Sequence, residues 1–475
     1  MSTTQAPVRK LKKPNRAWIR PLEDGGGARY RQIADLIVGA VKDGVLRAGD
    51  RLPPQRDLAQ ELGVDLTTVT RAYNEVRLAG LLDAHGAGGT YIAASLSEQS
   101  GTIDLSMNIP PLLNGENFER LMQSGLAQVK EQISAGSLMT YHVGGGPKPD
   151  REAASTWLEP IVGSVNPDKI LICPGAQAAL SAILLAYTQP GDVIAAENLT
   201  YPGFLAACRV LQRGVVPVAS DDQGMVPEDL DRVCKEQGPR LVYLVPTIQN
   251  PTATTMSAER REAIHAVATR HRVAIIEDDP YWLVAGDAPP PIASIAGRSA
   301  GAPVFYISTL SKCLAPGLRT AYVLMPESES MEPVLDALRA ITLMAHQSTV
   351  SMASIWIRNG MAMDMVQKIR QELGQRQKLA AKILPGILRA HPHGLHLWLA
   401  LPSRLDQYRL IQTAQDQGLG VASSEAFSAQ EDAPNAIRLS LGGASDQARL
   451  VTALEKLAEI LGTAVAPVER RRVIV

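Results

Sequence analysis

Between residues 169 and 324 short apolar, β-branched runs alternate with helical stretches, and no other feature of the sequence restricts the fold as much. The runs are Lys169–Cys173, Asp192–Ala195, Arg240–Val245, Val273–Ile276, Val304–Ile307 and Arg319–Leu324. Strands that recur with helices between them pair in parallel, because each helix supplies the crossover that returns the chain to the same edge of the sheet. A mostly parallel sheet with helices on both faces is therefore predicted. Beyond about residue 330, long helical patterns lead to a smaller α+β portion with strands near Gly394–Leu401 and Ala436–Leu441.

The sheet uses only part of a chain of 475 residues, so more than one core is expected. Hydrophobic residues make up 45% and charged residues 20%, which excludes a collagen-like, coiled-coil or wholly disordered chain. The cysteines, Cys173, Cys208, Cys234 and Cys313, lie far apart, with no CxxC pair and no nearby histidine. That spacing argues against a zinc site or a disulfide framework and suits a reducing compartment, so no metal is expected. No apolar run approaches the roughly 20 residues that span a bilayer, and the first residues lack the apolar stretch of a signal peptide. A soluble, cytoplasmic protein without a membrane partner is expected.

Charge is unevenly placed. Residues 1–95 hold 14 Lys and Arg against 10 Asp and Glu, leaving 33 against 38 for the rest. A positively charged N-terminal part favours a polyanionic partner there. Residues 1–27 are basic and turn-rich, ending in Gly25-Gly26-Gly27, and read as a flexible arm. From Tyr30 to about Asp43, Ile33, Leu36, Ile37, Ala40 and Val41 follow helical spacing. A second helix is predicted after Pro53-Pro54, burying Leu58, Ala59 and Leu62 and stopping at Gly63. A third starts near Asp65 or Thr67, with Val69, Ala72, Tyr73 and Val76 on one face up to Gly80. Leu81 to Ile92 reads as two short strands around a glycine-rich turn. Three helices and a hairpin make a winged helix over residues 28–93. Residues 94–103 read as a linker, and 104–475 as the larger domain.

In that domain the segment Ser308-Thr309-Leu310-Ser311-Lys312 follows a strand and places a lysine beside hydroxyls, with Arg319 seven residues on. A lysine there can form a Schiff base, since burial and nearby positive charge free its amine, and Ser, Thr and Arg together can cradle a phosphate. An exposed lysine capping a strand would read the same way. Asp278 follows the run VAIIE and could keep a pyridinium nitrogen protonated; Tyr281 lies three residues later. Asn250 in QNPT could reach a phenolic oxygen, or make only an Asn-Pro turn. Gly175-Ala176-Gln177 opens a helix after a strand, where backbone N–H groups and the helix dipole can hold a phosphate. Tyr201 could stack on a ring, although taken alone it reads better as a core aromatic.

Taken in order, these segments resemble the fold-type I aminotransferases over roughly residues 104–465. The resemblance implies that Lys312, Asp278, Tyr281, Asn250, Tyr201, Gly175, Ala176, Gln177, Thr309, Ser311 and Arg319 bind pyridoxal 5'-phosphate (PLP). It further implies that Tyr141 reaches the phosphate of a partner subunit, which predicts a homodimer. Arg438 in AIRLSL resembles the arginine that pairs with a substrate's α-carboxylate, a task suited to a guanidinium fork; read alone it is a strand-edge arginine.

The N-terminal segments GDRLPPQRDLAQELGV, TTVTRAYNEVRLAGLL and GGTYI resemble the GntR-type winged helix. The likeness implies a recognition helix entering the major groove of duplex operator DNA from about Thr67. Arg56, Thr67, Thr68 and Arg71 would then meet phosphates or base edges, with Gly89 and Thr90 at the wing tip. Arg56 could equally pair with Asp57 or Glu61, and Thr67 could simply cap a helix. Leu66 stands where these domains commonly carry arginine, and the wing reads GAGGT rather than GxGT. A GntR-type head on an aminotransferase-like body is the arrangement of the MocR regulators. That resemblance implies a cytoplasmic dimer that senses an amine, an amino acid or PLP itself through an aldimine at Lys312. Two rivals remain at this point: a working aminotransferase carrying a DNA-binding head, and a plain repressor whose large domain serves only for dimerisation.

Overall fold

The computed structural model describes residues 14–23, 27–46, 49–78, 81–84, 89–92, 103–113, 115–132, 136, 139–142, 144–297, 301–384 and 388–463. The chain divides into two compact units, residues 1–101 and 102–475.

The small unit contains α1 (Arg29–Lys42), α2 (Gln55–Leu62), α3 (Leu66–Leu78), β1 (Leu82–Ala84) and β2 (Thr90–Ile92). Ile33 and Ile37 of α1, Leu58 of α2 and Val69, Ala72 and Val76 of α3 close one apolar core with Leu82 and Ile92 of the antiparallel β1–β2 pair. The Tyr73 hydroxyl donates to the Pro53 carbonyl at 2.8 Å and ties α3 to the start of α2. Residues 14–23, read from the sequence as part of a flexible arm, also belong to this core. Trp18 is 2% exposed among the helices, its indole N–H donates to the Asn15 carbonyl, and the Asn15 amide donates to the Arg51 carbonyl. A short irregular stretch carries no periodicity, so nothing in the pattern distinguished it from an arm. Residues 1–13 and 24–26, and residues 94–102 of the expected linker, lie outside the described residues. Ile103, placed at the end of that linker, pairs in parallel with Leu419 and is part of the large unit.

In the large unit a seven-stranded sheet is built from β3 (Ile170–Cys173), β4 (Val193–Glu197), β5 (Gly214–Val218), β6 (Leu241–Leu244), β7 (Ala274–Asp278), β8 (Val304–Thr309) and β9 (Ala321–Leu324). The spatial order is β3-β9-β8-β7-β6-β4-β5. All neighbours are parallel except that β9 runs against both β3 and β8. Successive residues of a strand point to opposite faces. Ile275 and Ile276 accordingly enter two different cores, one against each layer of helices, which is why these strands read as unbroken apolar runs. Two details depart from the sequence reading. The edge strand β5 was not foreseen because Pro217 interrupts it, yet an edge strand tolerates a residue without an N–H. Arg319 is not in a strand: it has φ 45° and ends the short 3-10 turn Pro316–Leu318.

Helix α4 (Ala176–Tyr187) follows β3 directly. The C-terminal portion is a smaller lobe of β10 (Leu388–Ala390), β11 (His396–Ala400), β12 (Ala422–Ser423) and β13 (Ala436–Ser440), in the order β10-β11-β13-β12. Helices α5 (Met361–Ile383) and α6 (Gln447–Thr463) back this lobe, with Ala380, Leu397, Leu439, Leu450 and Leu454 in its core.

Candidate functional site

Ligands of open parallel sheets sit beyond the carboxyl ends of the strands, where the loops diverge. In the large unit a cavity of about 560 Å³ occupies that position. Lys312 reaches it from the turn after β8, and its ammonium donates to the Asn108 carbonyl. Burial, reinforced by the positive charge of Arg438 and Arg319 and opposed by Asp278, lowers the Lys312 amine to about 8. Asp278 enters at the end of β7. Its Oδ2 accepts from the Tyr243 hydroxyl at 2.8 Å, and its buried Oδ1 has no partner among the described residues. Burial pushes this carboxyl up to about 6, with a further push from Asp279, despite the Tyr243 hydrogen bond. Tyr243 lies flat on Phe204, ring centres 4.0 Å apart, so the acid stands against an apolar wall.

The first turn of α4 opens on the same cavity. Its N-cap, Gly175, has φ 95° and no side chain to satisfy the leading N–H groups. A Cβ at Gly175 would lie 2.5 Å from Arg319 Nη2, so only glycine lets the guanidinium cross the helix start. Ala176 and Gln177 line the space beside Arg319. The Gln177 amide donates to the Gly203 carbonyl at 2.8 Å, and its Oε1 is buried without a partner among the described residues. Thr309 and Ser311 lie across from them, their hydroxyls 3.1 Å apart. Tyr201, Tyr281 and Asn250 complete the wall.

Arg438 of β13 closes the far end. It donates through Nη1 to Asn250 Oδ1 at 3.0 Å and through Nη2 to the Ser106 carbonyl, while its guanidinium carbon stands 4.9 Å from the centre of the Phe427 ring. Burial lowers its pKa to about 10. The residues expected from the sequence thus meet at one cavity, Gly175 through its contact with Arg319. Tyr141 does not: it is 71% exposed and away from the cavity of its own chain.

Four contributors escaped the sequence reading: Ser106, Asn108, His396 and Phe427. The Asn108 side-chain amide donates to the Tyr281 hydroxyl at 2.9 Å and lies 3.1 Å from His396 Nδ1. Burial and the charge of Arg438 hold His396 down to about 3. The neutral ring therefore donates from Nε2 to the Gln249 carbonyl, 3.0 Å away, and accepts from Asn108 at Nδ1. Residues 106–111 are irregular backbone, and nothing local in the sequence marks them. They reach the site because the chain before them is clamped: a Cβ at Gly443 would lie 1.8 Å from the Asp104 carbonyl oxygen, so the 104–110 segment lies directly on the Gly442-Gly443 backbone.

In the small unit, Thr67 and Arg71 are exposed one turn apart on α3, and Thr68 is half-buried. The Arg71 guanidinium carbon sits 3.8 Å above the Tyr30 ring, which aims it from the side of α1. Arg56 is exposed on α2, and the acids beside it, Asp57 and Glu61, pair instead with Arg16 at 3.5 and 2.8 Å. Leu66 is 41% exposed at the head of α3. Gly89 and Thr90 lead into β2, where the Thr90 carbonyl accepts from the Leu52 amide at 2.9 Å.

A lysine and an acid facing one another across a parallel sheet's carboxyl edge, beside an uncapped helix start, define the large unit as an aminotransferase-type body. The chain belongs to the family "Aminotransferase class I and II", which matches residues 100–457, and "Bacterial regulatory proteins, gntR family" matches residues 29–92, the pairing found in MocR regulators. It is 27% identical to the uncharacterized HTH-type transcriptional regulator YdeF of Bacillus subtilis (strain 168), over 92% of this chain and 95% of that one. It is 33% identical to the vitamin B6 salvage pathway transcriptional repressor PtsJ of Salmonella typhimurium, over 62% of this chain and 67% of the repressor. Among solved structures, a kynurenine aminotransferase of Pyrococcus horikoshii in complex with PMP superposes with a TM-score of 0.69 at 26% identity, covering 78% of this chain and 93% of that one. No helix among the described residues is long and apolar enough to cross a membrane, and they hold no cluster of His, Cys, Asp and Glu fit for a metal.

Proposed function

We propose that this chain is a transcription regulator that binds duplex operator DNA through α3 and the β1–β2 hairpin, holds PLP in the Lys312 cavity and responds to a small amino compound at Arg438. The observation that carries the reading is the convergence on one cavity of Lys312, the unpartnered Oδ1 of Asp278 and the uncapped start of α4. The residues fit the cofactor on chemical grounds. A buried carboxylate oxygen without a partner calls for a donor, and a protonated ring nitrogen is one. The α4 N–H groups, with Arg319, Thr309 and Ser311, offer donors and positive charge for a phosphate. When bound, PLP supplies an aldehyde for condensation with amines and an electron-withdrawing ring.

The protein's part is to bind, orient and hold protons. Lys312, lowered to about 8, presents a usable fraction of neutral amine near neutral pH. Asp278, with its unpartnered Oδ1, would hold a proton on a ring nitrogen of the bound cofactor. Tyr201 and the apolar wall would exclude water, and Asn250 and Tyr281 would orient the ring. Arg438 receives a carboxylate through its fork: its Nε has no partner among the described residues, and a ligand there adds a contact beside the bonds to Asn250 and Ser106. The differential contact is what allows a ligand to shift a conformational equilibrium. Tyr141, exposed on its own chain, serves the cavity of a second copy in a homodimer. The cytoplasm is the compartment in which such a regulator meets both DNA and amino acids.

The test compares the full chain with Lys312→Ala on three readouts: absorbance of bound cofactor, response to added amino compounds, and salt-dependent affinity for a duplex selected from genomic DNA by the wild-type chain. Loss of the first two with retained, unresponsive DNA binding is expected; no change in any of the three would refute the reading. A second reading, aminotransferase turnover, is favoured by the completeness of the cavity and by 26% identity to the aromatic-amino-acid aminotransferase 1 of Thermococcus litoralis. Sustained conversion of an amino acid with a keto acid, on the order of 1 per second or faster, would establish it.

A further inference from the structure

Glu197 ends β4 on the same edge of the sheet as Asp278 ends β7, but alternation along the strands turns it the other way. Ala195 shares a core with Ile275, whereas Ile276 lies in the opposite one, so Glu197 and Asp278 open on opposite faces. On the Glu197 face lies a second cavity, of about 380 Å³, within the size range of small-molecule sites. Its walls include Leu199, Gln249, Trp398, Ala400 and Arg389.

Glu197 is 1% exposed. Its Oε2 accepts from the Val245 amide at 3.2 Å and from the Gln249 side chain at 3.3 Å, and its Oε1 has no partner among the described residues. The other charges around the cavity are matched: Arg389 with Asp222, and Asp221 with Arg260 at 2.9 Å. Glu197 alone lacks a counter-charge there among the described residues. Burial pushes its carboxyl up to about 8, as expected of an acid without a cation.

We propose that this cavity is a second small-molecule site, which takes a ligand with a cationic, multi-donor head, a guanidinium or an ammonium, against Glu197 Oε1 and rests the ligand's apolar body on Leu199 and Trp398. Neighbouring residues of one loop line the two cavities. Gln249 lines the second cavity and Asn250 the first. The Gln249 carbonyl accepts from His396, His396 accepts from Asn108, and the Asn108 carbonyl accepts from Lys312. Trp398 meets Phe427 edge-on, ring centres 6.4 Å apart, and Phe427 underlies Arg438. A cation at Glu197 Oε1 shares the carboxylate with the Gln249 amide, which donates to Oε2, and so acts on the loop that positions Asn250. The site is thermodynamically linked to the Lys312 cavity, and each ligand changes the other's affinity by the same factor. That linkage rests on the PLP reading, whereas the existence of the site does not.

The probe is methylguanidinium, which has no primary alkyl amine to condense with PLP. Its binding to the cofactor-free full chain is measured calorimetrically at constant ionic strength and at pH 9, above the value of about 8 at which Glu197 loses its proton. Saturable binding is expected, weakened on the order of tenfold or more, about 1.4 kcal/mol, in Glu197→Gln and in Ala400→Trp. The second variant fills the cavity from an exposed strand position and removes no hydrogen bond. Absence of saturable binding to the wild-type chain, or binding unchanged in Ala400→Trp, would overturn the site. In the wild-type chain, saturating methylguanidinium is expected to change the PLP dissociation constant at least threefold. Binding of the probe with no such change would overturn the linkage while leaving the site, and failure of PLP to bind at all would strike the proposed function instead.

Discussion

In the small unit the polar residues assigned to DNA, Thr67 and Arg71, meet solvent above an apolar core, and no charged residue there is buried among the described residues. In the large unit the charged residues are themselves part of the core: Glu197, Arg261, Glu277, Asp278, Asp279, Arg376 and Arg438 are all buried. Some are compensated internally. Arg376, for example, donates to Glu372 at 2.7 Å and to the carbonyls of Leu441 and Ala444. Asp278 and Glu197 each keep an unpartnered oxygen. Burying a charge without a partner is costly, so such groups persist where a ligand completes them. A surface that reads a polyanion needs only exposed donors on a rigid frame, while a cavity that holds a small charged molecule must carry its counter-charges inside the fold.

The largest effect is expected at Asp278. Replacing it with Asn keeps the shape but removes the charge, and the PLP dissociation constant, measured by equilibrium dialysis, is expected to rise on the order of 100-fold, about 2.7 kcal/mol. An unchanged constant would mean the acid is only a buried partner of Tyr243. A smaller effect is expected at Arg438→Lys, where the charge survives but the fork is lost: affinity for an amino-acid effector falls on the order of tenfold with PLP retention unchanged. In the small unit, Tyr73→Phe removes one buried hydrogen bond to Pro53, and denaturant unfolding should show a loss of about 1 kcal/mol without any effect on cofactor affinity. Equal damage to cofactor binding would show that the units are not independent.

The smallest effect is one of pH. The folded chain keeps the Glu197 proton up to about 8, whereas an ordinary glutamic acid has a value of 4.5. Between those values folding takes up a proton, so this group favours the folded state as pH falls from 8 toward 6 and opposes it as pH rises. Amide exchange in β4 should slow on acidification over that window beyond the intrinsic change. In α1 and α3 it should not, because the buried ionisable side chain there is Tyr73, whose phenol burial pushes further above its ordinary range. Parallel behaviour of the two regions would remove the distinction.

All of the sheet but its edge strand β5 was legible because periodicity is a local property: apolar runs declare strands, three-four spacing declares helices, and glycine and proline mark the ends. The ordered residues Gly175, Tyr201, Asn250, Asp278, Lys312 and Arg438 were legible for a related reason, since each stands within a strand or in the loop that follows one. Trp18, Asn108, His396 and Glu197 were not. Trp18 and Asn108 lie in irregular backbone with no period. His396 and Glu197 sit in or at the end of apolar strands, where one polar residue among apolar ones does not announce its partner.

Periodicity and motif order alone carried the two-part arrangement, the GntR-type head, the aminotransferase-type body and a lysine in the turn after β8. Only the tertiary structure decided that Trp18 closes the small core, that the 104–110 segment delivers Asn108 to Lys312, and that Glu197 faces a cavity of its own. The reason is that each of these depends on what the chain meets across a long loop. The Asn108 and His396 side chains are 288 residues apart in sequence and 3.1 Å apart in space, and such a meeting is fixed by which surfaces exclude water together, not by the neighbours of either residue along the chain.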